Sequence, residues 1–330
     1  MGGTERLDAF QRRHPAAGFP IAVLYKYFDD TGAYLAALIT YYAFVSLFPL
    51  LLLMSTVLGF VLAGHHDLQQ RVLHSALSQF PVVGAQLGEP KRLGGGPGGL
   101  VIGILGSLYG GLGVAQAVQY AMNTAWSVPR NSRPNPIKAR GRSLLLLATV
   151  GVAVLATTLL STLGSSNAGS LGPALKVLVL GASIALNAAV FVFAFRMAGA
   201  KELSVRDVAP GAVAAAIIWQ LLQTFGVVYV SHVVKGASAT NGVFALVLGL
   251  LAFLYLTAVA VVLCVEANVV RAHHLHPRAL LTPFTDNVDL THADRRAYTG
   301  QAQAQRSKGF EDVNVQFNPP PHPPDNDEHR

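Results

Sequence analysis

The sequence predicts an all-α fold: a polytopic membrane bundle of six transmembrane helices plus an extracytoplasmic amphipathic helix. Six stretches of 19 or more residues carry no Asp, Glu, Lys or Arg, at 33–63, 99–126, 143–164, 177–195, 209–234 and 243–265. A bilayer core about 30 Å thick needs roughly 20 apolar helical residues, and a charge at its centre costs about 3 kcal/mol. Composition agrees, with 52% hydrophobic and 12% charged residues, where soluble domains carry about 25% charged.

Residues 1–32 form an N-terminal segment with Glu5, Arg6, Arg12, Arg13, Lys26 and Asp30 and no apolar run of signal-peptide length. The first membrane helix therefore does its own targeting, and Arg6 stands where myristoylation needs Ser or Thr. Span one, about 33–63, contains Pro49, which lacks an amide hydrogen, frees the carbonyl of Val45 and bends the helix. Tyr42, Ser46 and Pro49 share one face of it. Residues 65–98 place Leu68, Val72, Leu73, Leu77 and Phe80 near helical period, and Pro81 ends that helix. It lies on the outer membrane face or packs on its own protein. The run Gly94–Gly99 reads as a hinge, since no strand or Gly-Lys-Ser/Thr ending makes it a phosphate cradle.

Span two, about 99–126, carries Tyr109, Gly113, Gln116, Tyr120 and Asn123 at alternating spacings of four and three, which aligns them on one face. Gly103, Ser107 and Gly111, and likewise Gly106 and Gly110, recur every four residues and permit close helix approach. Between Arg142 and Lys176 lie 33 uncharged residues, room for one span, about 143–164, and a turn at 165–172. Span four, about 175–198, contains Asn187; span five, about 209–234, contains Gln220, Gln223 and Tyr229. Span six, about 243–270, ends with Glu266 and Asn268. The membrane domain is thus 33–271, and 272–330 is a polar, Pro-rich cytoplasmic tail expected to be largely disordered.

With the N-terminus inside, 19 of the 24 Lys and Arg fall on the cytoplasmic side, five of them in the acid-free loop from Ser127 to Arg142. Both termini are therefore predicted cytoplasmic, in a bacterial plasma membrane. The net charge of +7 is explained by cytoplasmic loops meeting anionic headgroups. Membrane lipids are the expected partners, and nucleic acid is not.

Chemical motifs are few. Cys264 is the sole cysteine, so there is no disulfide or Cys-rich zinc site, and His273, His274 and His276 have no carboxylate beside them to complete a metal shell. The nearest His, His65 and His232, sit at or beyond span ends, too far out to activate a Ser within the membrane, and no carboxylate pair suits acid–base work, so no enzyme, metal or cofactor is predicted. Polar residues within apolar spans face other helices or a wet cavity. The candidates to line such a cavity are Tyr42, Ser46, Pro49, Gln116, Tyr120, Asn123, Gln220, Gln223, Glu266 and Asn268. The same residues serve equally as interhelical hydrogen-bonding glue. Glu266, near the cytoplasmic edge, is placed to meet water or a neighbouring Arg.

Several motifs resemble the YihY/BrkB multi-pass membrane proteins, historically also labelled ribonuclease BN. They are the run from Ala36 to Leu50 (AALITYYAFVSLFPL), Ala121 to Trp126 (AMNTAW), Asp207 to Gly211 (DVAPG) and Glu266-Ala267-Asn268, which is similar to the family's Gly-Ala-Glu-x-Asn element. The similarity covers about Tyr25 to Val270. Two positions depart from the pattern: Asn241-Gly242 where the family usually has Tyr-Gly, and Cys264 where it has Gly. The resemblance implies an inner-membrane protein tied to envelope resistance. The residues themselves suggest a transporter or lipid-translocating protein with a polar cavity, or else an envelope scaffold whose polar stripe is glue. A ribonuclease is the weakest of the three readings. Cargo, coupling ion and oligomeric state are not legible.

Overall fold

The computed structural model describes residues 3–61, 96–166, 173–234, 239–286 and 288–318. Among them nine α-helices and one 3₁₀ turn are found and no strand. We number the helices α1 (Gly3–Arg13), α2 (Pro15–Asp29), α3 (Gly32–Val61), α4 (Gly96–Ala125), α5 (Pro136–Ser166), α6 (Pro173–Ala198), α7 (Val205–Val234), α8 (Ala239–Ala272) and α9 (His292–Gln303). The sequence-derived amphipathic segment around Leu68–Phe80 lies outside the described residues, as does the expected turn at 165–172 from residue 167 on; Ser165 and Ser166 are still in α5.

Helices are what an apolar solvent demands, since each satisfies its own backbone N–H and C=O groups. Four are long and apolar enough to cross a membrane, over Val101–Ala125, Leu180–Ala198, Val205–Phe225 and Val247–Ala272, and α3 has a shorter apolar stretch, Gly32–Leu47. The helices overrun the charge-free cores at their polar ends: α5 starts at Pro136 and α7 at Val205. Charged residues are compatible with helix once it leaves hydrocarbon, so charge marks the membrane boundary and not the helix end. Of the expected hinge at Gly94–Gly99, the residues from Gly96 on are helix, the start of α4, with Pro97 in its first turn, where a missing N–H costs nothing; Gly94 and Gly95 lie outside the described residues.

Each long helix packs on the next in sequence, α3 to α4 and onward to α8, and α8 returns to α3, so the six close a ring. The most extensive contact is α3 on α4. Its seam is a side-chain ladder against glycines. A methyl added at Gly113 would strike the ring of Tyr42, one at Gly110 would strike Ser46, and one at Gly106 would lie 2.7 Å from Pro49. The face Tyr42/Ser46/Pro49 thus packs into a glycine groove of the neighbouring helix, the close approach that small residues allow.

The tail is folded over its described part, which corrects the expectation of disorder. Leu275, Ala279, Ala293 and Ala297 are buried, and Thr291 and Asp294 form a capping box at the start of α9. The tail lies against α1 and α2: Gln11 donates to the carbonyl of Arg278, Tyr25 Oη to that of Leu280 (2.6 Å), and Asp8 accepts from the Leu280 N–H (2.9 Å). Both terminal segments therefore sit together at one end of the bundle. The core at that end joins Ala22 and Val23 of α2, Met122 of α4, Phe195 of α6, Val208 of α7, Val265 and Val269 of α8, and Leu275 and Ala297 of the tail.

The seam predicts opposite signs for two Gly→Ala changes. Gly110→Ala should destabilise the detergent-solubilised protein by about 1–3 kcal/mol through overpacking. Gly181→Ala, whose added methyl meets nothing within 4 Å, should be neutral or stabilising by up to roughly 1 kcal/mol through helix propensity. Thermal unfolding of the two variants beside the parent measures both.

Candidate functional site: an enclosed ion group at one end of the bundle

Lys26 stands alone in an apolar run of α2, Phe19-Pro20-Ile21-Ala22-Val23-Leu24-Tyr25-Lys26-Tyr27-Phe28. Helical periodicity turns it to the side that packs on α8, along with Asp30 one turn later. Its ammonium pairs with Asp30, donates to the carbonyl of Ala125 at the end of α4 (3.0 Å), and lies 3.5 Å from Oε2 of Glu266 on α8. The three side chains are 3%, 1% and 0% exposed. Glu266 is therefore not at a wet edge beside an Arg, as its position in the sequence suggests. It is enclosed, because α2 and the tail cover the end of α8.

Two carboxyl groups share one ammonium here. Neither oxygen of Glu266 receives a well-aligned hydrogen bond among the described residues. An enclosed net charge is costly, so the group favours holding a proton on one carboxyl. Burial pushes the Asp30 carboxyl above the usual carboxylate range, further than Lys26 draws it back. For Lys26, burial opposes the charge, but Glu266 and Asp30 outweigh it and hold the ammonium above its ordinary value.

A second ion group adjoins through the neighbouring residue. Arg278, fully buried, pairs with Asp294 of α9 and with Asp29 of α2 (3.0 Å), and its guanidinium lies 5.2 Å from the centre of the Tyr298 ring. Gln301 donates to the carbonyl of Asp29 and reaches Oδ1 of Asp30 at 3.4 Å. The tail thus roofs the Lys26 group.

Of the residues singled out from the sequence, Glu266 is in this group, and Asn268, two residues on, faces α7 instead. Asn268 Oδ1 accepts from the Gly211 N–H (2.8 Å) and its Nδ2 donates to the Val208 carbonyl (3.0 Å). A side chain at Gly211 would collide with the Cys264 carbonyl and with Asn268, so the DVAPG and EAN motifs meet as one joint. Pro210 has no N–H for the Arg206 carbonyl, and Arg271 donates to it instead. Asn123 is buried and accepts from the Ala200 N–H (2.8 Å). Tyr42, Ser46 and Pro49 lie in the glycine seam, and Gln220 and Gln223 are half-buried on α7. Gln116 and Tyr120 are exposed, and Tyr120 has the Arg133 guanidinium 5.4 Å from its ring centre. The ten do not converge on one place. His273 and His276 pack edge-on against Trp126 and Phe19, and among the described residues no three His, Cys, Asp or Glu side chains gather as metal ligands.

A family model described as virulence factor BrkB matches residues 23–286. The chain belongs to the BrkB family. The ribonuclease-like protein YfkH of Bacillus subtilis (strain 168) is 28% identical over 271 residues, 78% of this chain and 94% of that one. No solved structure matches. Within the BrkB region lie Lys26, Asp29, Asp30, Glu266, Asn268 and Arg278, whereas Asp294, Tyr298 and Gln301 lie beyond it. Sequence reasoning missed Lys26 and Asp30 as partners of Glu266. The available signal was a lone Lys, with an acid four residues on, in an apolar helix too short to span.

Raised by burial, the Asp30 carboxyl binds its proton more tightly folded than unfolded, so stability from this group is present below the usual carboxylate value near 4 and lost as pH rises through the folded value. Asp30→Asn mimics the neutral carboxyl. Its melting temperature relative to the parent should rise steadily between pH 4 and neutrality, and a constant difference across that range would show that Asp30 titrates normally.

Proposed function

We propose that this BrkB-family chain is a six-span protein of the bacterial plasma membrane, with both termini in the cytoplasm, that moves a lipid or small solute across the bilayer. The observation that carries the proposal is Glu266: an ionisable side chain in an apolar helix, 0% exposed, sharing a single Lys with a second carboxyl. Ionisable residues in such helices are expensive and mark ion, proton or substrate handling by default. A group that exchanges a proton and shifts its charge can bias a helix contact between two arrangements. Here the contact is that of α2 with α8. Packing of the two terminal segments together supports an even number of crossings, and the ring of six long helices supports the count. Gln116, Tyr120, Gln220 and Gln223 remain the proposed cargo-facing residues.

One observation favours a scaffold as the second reading: Tyr42, Ser46 and Pro49 fill a glycine groove, and Asn123 and Asn268 tie backbone segments together. These are the contacts of glue. The name of YfkH raises ribonuclease activity for that relative, but the enclosed ion group here offers no site that RNA could reach.

The test uses proteoliposomes carrying a fluorescent phospholipid, or a pH-sensitive dye under an imposed proton gradient. Transport predicts that the parent protein speeds lipid exchange or proton flux above protein-free vesicles, and that Glu266→Gln removes most of that rate while the protein still purifies as a folded species. No rate above protein-free vesicles in either assay, together with loss of folding in Glu266→Gln, would favour the scaffold.

A further inference from the structure

A cleft of about 350 Å³ lies where the start of α5 meets the end of α6 and the loop to α7. Arg142, Arg196 and Lys201 line it, opposed by one carboxylate, Glu202, and its apolar lining includes Phe193 and Met197. The cleft is prebuilt. Arg142 donates to the Gly199 carbonyl (3.2 Å), Arg196 to the Leu203 carbonyl (2.9 Å), and Asn123 accepts from the Ala200 N–H, so three bonds pin the loop that forms one wall. Each Arg spends only part of its donor fork on these carbonyls, leaving further N–H groups for a ligand. Lys201 is exposed, 5.9 Å from the Trp126 ring centre.

We infer that this cleft binds the phosphoryl headgroup of an anionic phospholipid from the cytoplasmic leaflet. The cations match a phosphate ester, which Arg recognises through paired N–H donors. Phe193, about one turn before Arg196 on the same helix face and 38% exposed, gives the glycerol and upper acyl chain an apolar surface. A soluble phosphate would have no use for that surface. The site lies at the end of the spans that carries the excess of Lys and Arg, where anionic headgroups are found. Lipid binding here needs the chain to sit in a bilayer and does not depend on transport.

The experiment is lipid retention by the full-length protein, purified from mixed phosphatidylglycerol and phosphatidylcholine nanodiscs and read by native mass spectrometry. The parent should retain phosphatidylglycerol preferentially. Lys201→Gln, which removes a cation with no part in pinning the loop, should weaken that preference by about fivefold, and Arg196→Gln/Lys201→Gln by more. Arg130→Gln/Lys138→Gln, two exposed cations away from the cleft, should change it little. An equal loss in the Arg130/Lys138 pair, or no preference in the parent, overturns the site. Inorganic phosphate at millimolar concentration should not displace the lipid; if it does so as well as phosphatidylglycerol itself, the ligand is free phosphate and the lipid assignment fails.

Discussion

A cation enclosed in protein must be answered by an anion, and in this molecule that requirement organises one whole end of the bundle. Lys26 draws Asp30 from its own helix, Glu266 from α8 and a backbone carbonyl from α4. Three helices that share no sequence proximity are thereby fixed relative to one another. Breaking one partner of such a group typically costs 3–5 kcal/mol, because the remaining charge stays buried. Apolar packing around Met122, Phe195 and Val265 closes the site against water, which makes the ionic requirement strict.

Farther along the helices, among the described residues, no ion pair joins one helix to another, and contact is set by shape. Lipid offers no hydrophobic advantage to helix association, so close backbone approach is the available route. Gly106, Gly110 and Gly113 provide it for α3, and Gly211 provides it for α8. At the second joint Asn268 adds two hydrogen bonds to backbone groups near Pro210, where the helix ladder is already interrupted. Proline and asparagine belong together there: one removes a donor and the other supplies both a donor and an acceptor.

The helical class and the places of the long helices were legible because hydrocarbon penalises charge, and the penalty writes itself into the sequence as charge-free runs. The small-residue spacing of α4 was legible for the same local reason. The partners of Glu266 were not, since Lys26 lies 240 residues away and only the folding of α2 under α8 reveals the pair. Composition misled for the described part of the tail. Its polar sequence reads as disordered, yet the pair of Arg278 and Asp294 helps to hold it as a packed roof. Single long-range ion pairs carry no periodicity, so pattern reading passes over them. The face Tyr42/Ser46/Pro49 shows the converse limit: periodicity put the three on one side of α3, but only the glycines opposite show that this side is packed.

The family region ends at residue 286 and so divides the second ion group. Inside it, Arg278 meets Asp29, whose side chain is 21% exposed, a pairing that a wet surface would tolerate. Outside it, α9 brings Asp294, Tyr298 and Gln301 over the same residues and leaves Arg278 no solvent at all. Removing water raises the cost of an unanswered guanidinium, so α9 can dock only by bringing its own carboxylate. Asp294 also accepts from the Ala279 and Thr291 N–H groups, at 3.0 and 2.9 Å, which holds that carboxylate in place beside the guanidinium. The roof and its anion are therefore one device, and the Lys26 group beneath owes part of its enclosure to a segment that lies beyond the family region.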